Sequence, residues 1–153
     1  MTIEKLSLVK KQQLAYWVAF KEFMDSKKST VKCSNGSPQH WVSMRIGKRD
    51  FWLAAQVNSL KSVISANFGF TTQSSKAIYH VFHSEKETIE AEFGEALEWS
   101  ESSEIKSFSI SVTKHNADFR NEQDWKNQFA WLAERLEKLD SVFRKRVLKL
   151  DVK

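Results

Sequence analysis

Residues 41–70, WVSMRIGKRDFWLAAQVNSLKSVISANFGF, contain three runs in which apolar and polar side chains alternate. The runs at 41–46, 51–58 and 63–70 have the period of β-strands with one buried face. A polar break that begins at Gly47 separates the first two runs, and a short polar stretch separates the second from the third. Breaks of this length predict hairpins, and therefore strands that pair in antiparallel fashion.

Helical periodicity surrounds these three strands on both sides. Apolar residues recur every three or four positions in 3–25, in 71–93 and in the chain after Asn121, a spacing that is typical of amphipathic helices. Residues 84–87, SEKE, match a capping box, in which serine and glutamate satisfy the free backbone amides of a helix start. We therefore expect the middle helix to bend or restart at this point.

Two shorter alternating segments, 97–99 and 105–113, predict a fourth and a fifth strand. The predicted order is α-β-β-β-α-β-β-α, in a single domain that spans residues 1–153. One polar face on each strand places the helices on the other face. We therefore expect an α+β fold, with three helices and a mostly antiparallel sheet of about five strands.

The amino-acid composition limits the classes of protein to which the chain can belong. An aromatic content of 12% excludes a disordered chain. The net charge of +5 suits an anionic partner such as DNA or RNA, although a modest charge also serves solubility alone. A single cysteine, Cys33, excludes an intrachain disulfide, and no stretch approaches about 18 consecutive apolar residues. We expect a cytoplasmic protein without a membrane-spanning segment.

The polar face of the predicted sheet gathers residue types that bind flat ligands. Tryptophan rings stack on nucleobases, and amides supply oriented hydrogen bonds. The candidate binding residues on this face are Trp41, Arg45, Trp52, Gln56, Asn58 and Asn67. There are two alternative interpretations. In the first, Trp41 and Trp52 are covered by the last helix or by the 26–38 loop. In the second, the face is buried in a homodimer.

Basic residues cluster at the first hairpin and near the C-terminus. Lys48 and Arg49 of the hairpin, and Arg144 and Arg146 of the last helix, are candidate contacts to a nucleic acid. The alternative for the helical pair is a solvated helix end, where positive charge suits the helix dipole.

The sequence contains no complete catalytic or metal-binding motif. The α-β-β-β-α-β order resembles the core of restriction-type nucleases, which hold a divalent metal with an acid, a second acid or Gln, and a nearby Lys. Asp50 and Gln56 fit part of this pattern, but Asn58 stands where the Lys is needed. His80 and His83 lack further ligands. We expect no catalytic residue, metal or cofactor, and a degenerate or divergent metal-dependent nuclease is the alternative.

Several segments of the chain resemble one bacterial family. They are YWVAF at 16–20, PQHW at 38–41, IEAEFG at 89–94, LEW at 97–99 and FRKRV at 143–147. On these residues the chain resembles the family called domain of unknown function 4268 over nearly its whole length. The resemblance implies DNA-related or defence roles, because such domains often follow nuclease-like regions, and it supplies no catalytic residues.

These observations favour a non-catalytic accessory or binding domain, with DNA or RNA as the expected partner. A homo-oligomerising protein-interaction module is the remaining alternative. Exposure of Trp41 and Trp52 separates a ligand platform from a covered core, because a stacking ring has to be accessible.

Overall fold

The computed structural model describes residues 6–101 and 108–150. Within these ranges the helices are α1 (Leu8–Ser26), α2 (Ser75–Ser84), α3 (Lys86–Phe93) and α4 (Trp125–Lys149). The strands are β1 (Trp41–Arg45), β2 (Phe51–Asn58), β3 (Val63–Phe70), β4 (Glu98–Glu101) and β5 (Phe108–Lys114). A short 3-10 turn, Glu122–Asp124, leads into α4. The described residues include no helix that is long and apolar enough to cross a membrane.

The five strands form one sheet in the order β1-β2-β3-β5-β4, and every neighbouring pair is antiparallel. This confirms the predicted α+β class. The bounds of β2 and β3 match the alternating runs, and β1 ends one residue earlier than predicted. The predicted fifth strand began at residue 105, which lies outside the described residues.

The expected number of three helices is wrong, because the predicted 71–93 helix is two helices. The chain turns at Glu85, where α2 ends and α3 begins, so the predicted restart is confirmed. The capping box itself does not form. The Ser84 hydroxyl donates a hydrogen bond to the Val81 carbonyl at 2.6 Å instead of capping α3. A serine that bonds backward along its own helix favours the end of that helix over the start of the next.

Helices α2 and α4 pack directly on the apolar face of the sheet, while α1 and α3 pack against other helices. Helix α4 crosses β2 and β3 at the centre of the sheet. Its Phe143 lies parallel to Phe68 of β3, with the ring centroids 4.2 Å apart. Leu132 and Leu136, also on α4, are fully buried. The hydrophobic core therefore lies between α4 and one face of the sheet.

Helix α1 fixes the loop that leads to β1. The Trp17 indole nitrogen donates a hydrogen bond to the Gln39 carbonyl at 2.8 Å, and Gly36 lies against the Trp17 side chain. The loop then pairs with the outer edge of β1 through a bridge between Cys33 and Met44. These contacts cover part of an edge strand that would otherwise expose unpaired backbone groups.

Removal of the Phe143 ring tests whether this central contact holds the fold together. Phe143 is fully buried, so Phe143→Ala is expected to lower the free energy of unfolding by about 3–5 kcal/mol. Urea unfolding measures the change. Val18→Ala, at a position that is 45% exposed on α1, is the control and is expected to change stability by less than about 0.5 kcal/mol. Equal effects of the two substitutions would contradict the assignment of the core.

Candidate functional site

The face of the sheet that points away from α2 and α4 is open to solvent. Trp41 is 42% exposed, and Arg45, Gln56 and Asn58 are exposed as well. We call this surface the open face. It consists of Trp41, Ser43, Arg45, Trp52, Ala54, Gln56, Asn58, Val63, Ser65, Asn67, Gly69, Glu98, Ser100, Ser109, Ser111 and Thr113. All six candidate binding residues from the sequence therefore share one surface, and neither of its tryptophans lies in the core.

The Trp52 indole lies against Gly69, its antiparallel partner on β3. A Cβ atom at Gly69 would lie 2.7 Å from Nε1, 2.8 Å from Cε2 and 2.9 Å from Cζ2 of the Trp52 indole. A Cβ on a strand points out of the sheet, so this side of the indole occupies the space above residue 69 that a side chain would fill. Only glycine leaves room for this arrangement. The indole therefore packs over the β3 backbone and remains partly exposed.

Trp41 and Trp52 line the same depression, which has a volume of about 540 Å³ and also contains His40, Ser43 and Gln56. A second depression, of about 500 Å³, adjoins the first through Ser43 and Trp52. A third, of about 630 Å³, continues through Arg45 to the β1–β2 turn. The three depressions share lining residues, and together we call them the groove. The groove begins on the open face at Trp41 and passes around the β1 edge to Arg49, where Phe51 of the apolar face and Arg144 of α4 also line it.

Basic side chains line the end of the groove near the β1–β2 turn. They are Lys32, Arg45, Lys48, Arg49 and Arg144. Lys48 donates a hydrogen bond to the Leu150 carbonyl at 2.6 Å, and Arg144 pairs with Asp140 at 2.7 Å. Lys32, Arg45 and Arg49 make no side-chain hydrogen bond or ion pair within residues 6–101 and 108–150. These three charges are therefore available to an anionic ligand.

The three candidate amides differ in how far they are already engaged. The Asn58 side-chain oxygen accepts a hydrogen bond from the Lys61 amide at 3.1 Å and so stabilises the β2–β3 turn. The Asn67 amide nitrogen donates to the Ser65 hydroxyl at 3.2 Å, which leaves its oxygen free to accept. Gln56 is exposed and sits opposite Trp41 in the strand register. Gln56 is thus the best placed of the three to contact a ligand beside the tryptophans.

Arg146, predicted as a basic contact, is engaged elsewhere. Its guanidinium pairs with Glu92 of α3 at 2.6 Å, and Lys145 contacts the same carboxylate at 2.6 Å. The hydrogen bonds from Arg146 and then Lys145 lower the pKa of Glu92 to about 2, from an ordinary value of 4.5. The same contact raises the pKa of Arg146. The structure does not place Arg146 in the groove, and its role in ion pairing joins α3 to α4.

Asp50 does not meet the other residues of the nuclease-like pattern. It lies in the β1–β2 turn, immediately before β2, whereas Gln56 is six residues further along that strand. At a rise of about 3.3 Å per residue the two are separated by roughly 20 Å, and ligands of one Mg²⁺ lie about 2 Å from the ion. Asp50 and Gln56 therefore cannot bind the same metal. No group of three or more His, Cys, Asp or Glu residues in the described part of the chain could hold a metal ion.

Two further candidate side chains have close neighbours. His83 is exposed on α2, with Tyr79 and Trp99 at centroid distances of 5.8 and 5.4 Å. Burial raises the pKa of the Cys33 thiol to about 12, so the thiol remains protonated at neutral pH and is a poor nucleophile.

Sequence reasoning missed Gly69 and His40 as parts of the site. Gly69 lies inside a strand, on its polar face. A glycine in this position often marks the close approach of another group, and this was the missed signal. His40 immediately precedes β1 and lines the depression that contains Trp41, a position that its sequence context does not indicate.

The ion pairs of Glu92 should make the stability of the protein depend on pH, and removal of the Glu92 charge tests this. Because the pKa of Glu92 is lowered on folding, its charge stabilises the folded protein above the unfolded pKa of 4.5, and this contribution is lost as the pH falls toward 2. Glu92→Gln is therefore expected to be less stable than the wild type above about pH 5, with the difference shrinking toward pH 2.

Urea unfolding of the two proteins across this pH range measures the effect. Glu22→Gln, which removes an exposed carboxylate from α1, is the control and is expected to show little difference from the wild type at any pH. A stability difference for Glu92→Gln that stays constant from pH 7 to pH 2 would contradict the ion-pair assignment.

Comparison with known proteins identifies a family. The family model described as Domain of unknown function (DUF4268) matches residues 12–147 of the 153-residue chain. The matched residues include all five strands, the open face and the groove. No curated protein and no solved structure matches the chain. Because the family model covers most of its length, the chain belongs to the DUF4268 family.

Proposed function

We propose that this chain is a non-catalytic domain that binds nucleic acid in the groove, which leads from the open face of its sheet to the β1–β2 turn. The observation that carries the proposal is the juxtaposition of two accessible tryptophans with uncommitted basic side chains. Trp52 is the register partner of Arg45, and Trp41 lies on the same strand as Arg45. Nucleic-acid-binding surfaces typically combine aromatic faces with positive charge.

The distribution of charge across the sheet supports an anionic ligand at one side. Lys32, Arg45 and Arg49 lie at the β1–β2 end, where the described structure gives them no acidic partner. The far edge strand, β4, instead presents Glu98, which accepts a hydrogen bond from Thr113. A phosphate backbone is therefore attracted to the β1 side and repelled from the β4 side.

The size of the surface also suits a polymer. Trp41 and Arg45 are four residues apart on β1, about 13 Å at the usual rise of a strand. The groove continues beyond Arg45 to Arg49. A ligand that reaches both tryptophans and the basic end has to be elongated and to repeat its charge, as a polynucleotide does.

Removal of two uncommitted charges tests this proposal. Each phosphate contact to a single strand contributes about −0.7 to the slope of log K against log salt concentration, so Arg45→Gln/Arg49→Gln is expected to reduce the slope by about 1.4. The affinity at low salt falls as well. Fluorescence anisotropy with a labelled oligonucleotide of about 20 nucleotides, titrated at several salt concentrations, measures both quantities.

The control removes positive charge from a surface away from the groove. Lys126 is exposed on α4, and Lys126→Gln paired with Lys10→Gln on α1 removes the same total charge as the groove variant. Equal losses for both double variants would show that only net charge matters. That result, or a failure of the wild type to bind any oligonucleotide, would contradict the proposal.

A further inference from the structure

We infer that the ligand of the groove is a single-stranded nucleic acid, with an unpaired base stacked on Trp52. This inference rests on the proposed function and names the class of nucleic acid. It follows from the shape of the open face, the packing of the Trp52 ring and the positions of the hydrogen-bonding groups around it.

Trp52 is held in place and is accessible. Because Gly69 has no side chain, the indole lies against the backbone of β3, and Trp52 also lines the 540 Å³ depression. A ring held by such a support loses little conformational freedom when a second ring stacks on it. Only a base with a free face can stack there, and bases inside a duplex are covered by neighbours on both sides.

The sheet is too wide to enter a duplex groove. Five strands span four inter-strand spacings, or about 19 Å, and the major groove of B-DNA is only about 12 Å wide. Trp52 lies on β2, inside the sheet and not at its edge. The sheet therefore cannot enter a duplex groove far enough for Trp52 to contact base edges. Splayed bases of a single strand reach a flat surface without this obstacle.

Polar groups surround the rings. Gln56 is exposed and opposite Trp41, and an amide both donates and accepts hydrogen bonds. Asn67 lies on β3 and donates from its amide nitrogen to Ala54 and Ser65, and His40 lines the same depression as Trp41. These groups match the exposed edges of an unpaired base, which carry both donors and acceptors.

Basic side chains define a path for the phosphates. Arg45 is the direct register partner of Trp52, so a base on the indole has a cationic side chain beside it. From there Lys32 and Arg49 extend the positive surface along the groove, and Glu98 lies beyond β3 on the other side. The strand therefore follows β1 and β2 and does not cross the sheet to β4.

The test uses three probes of equal length and sequence: a single strand, its duplex, and a single strand with abasic sites in place of the central bases. The abasic strand keeps the phosphate charges and removes the stacking surfaces. Tight binding of the intact single strand is expected, together with clearly weaker binding of the other two. Oligo-deoxythymidine and oligo-uridine are compared in parallel, and tight binding of either supports the inference.

The decisive variant is Trp52→Ala. Stacking on one aromatic side chain is worth about 1–3 kcal/mol per base, so the Kd for the intact strand is expected to rise roughly 5- to 150-fold. The Kd for the abasic strand is expected to stay unchanged. Trp131→Ala, which removes a half-buried indole from α4, is the matched control and leaves both affinities unchanged.

Gly69→Ala provides a second variant that retains every aromatic ring and every charge. Its new methyl group occupies space that the indole fills, so Trp52 has to leave its position against β3. We expect the same selective loss of binding to the intact strand. Thermal unfolding of each variant establishes that the fold is retained, and Trp52→Leu replaces Trp52→Ala if the alanine variant does not fold.

The outcomes separate this inference from the proposed function. Equal affinity for the single strand, duplex and abasic strand would overturn the inference while the proposed function stands. Absence of binding to all three probes would overturn both. A stable dimer in light scattering that Trp52→Ala dissociates, without binding of the single strand, would assign the open face to a second copy of the chain and would also overturn both.

Discussion

The packing of α4 across the centre of the sheet is the contact on which the rest of the structure depends. Phe143 stacks on Phe68 at 4.2 Å, and the fully buried leucines of α4 continue this layer along the helix. Helices α1 and α3 then pack on α4, and α2 packs on β5. The apolar face of the sheet is thereby buried, and the described helices leave the other face accessible.

The open face is stable in water because of its side chains. On the open face, serine and other small polar residues occupy most positions of β3 and β5, so little apolar surface is exposed there. Trp52, one of the two indoles on the face, covers the Gly69 backbone and is half-buried without any described helix above it. This local packing restrains an aromatic ring that remains partly accessible, and such preorganisation favours binding.

The fold was largely predictable because period-two alternation is a strong local signal, as the matching bounds of β2 and β3 show. The position of β5 between β3 and β4 was not predictable, since strand order depends on long-range packing. In the site, strand phase alone placed Trp41 and Trp52 together. The commitment of Arg146 to Glu92 could not be foreseen, because the two residues are 54 positions apart in sequence and meet only when α3 packs on α4.

The most direct test of the central claim is an NMR titration of the tryptophan indole N–H signals with a single-stranded oligonucleotide. Trp125 donates its indole hydrogen to the Phe119 carbonyl at 2.6 Å, away from the groove, and so provides an internal reference. We expect the Trp41 and Trp52 signals to shift with saturation while the reference signal stays in place. Unchanged signals for Trp41 and Trp52, at a concentration where the strand is bound, would contradict this claim.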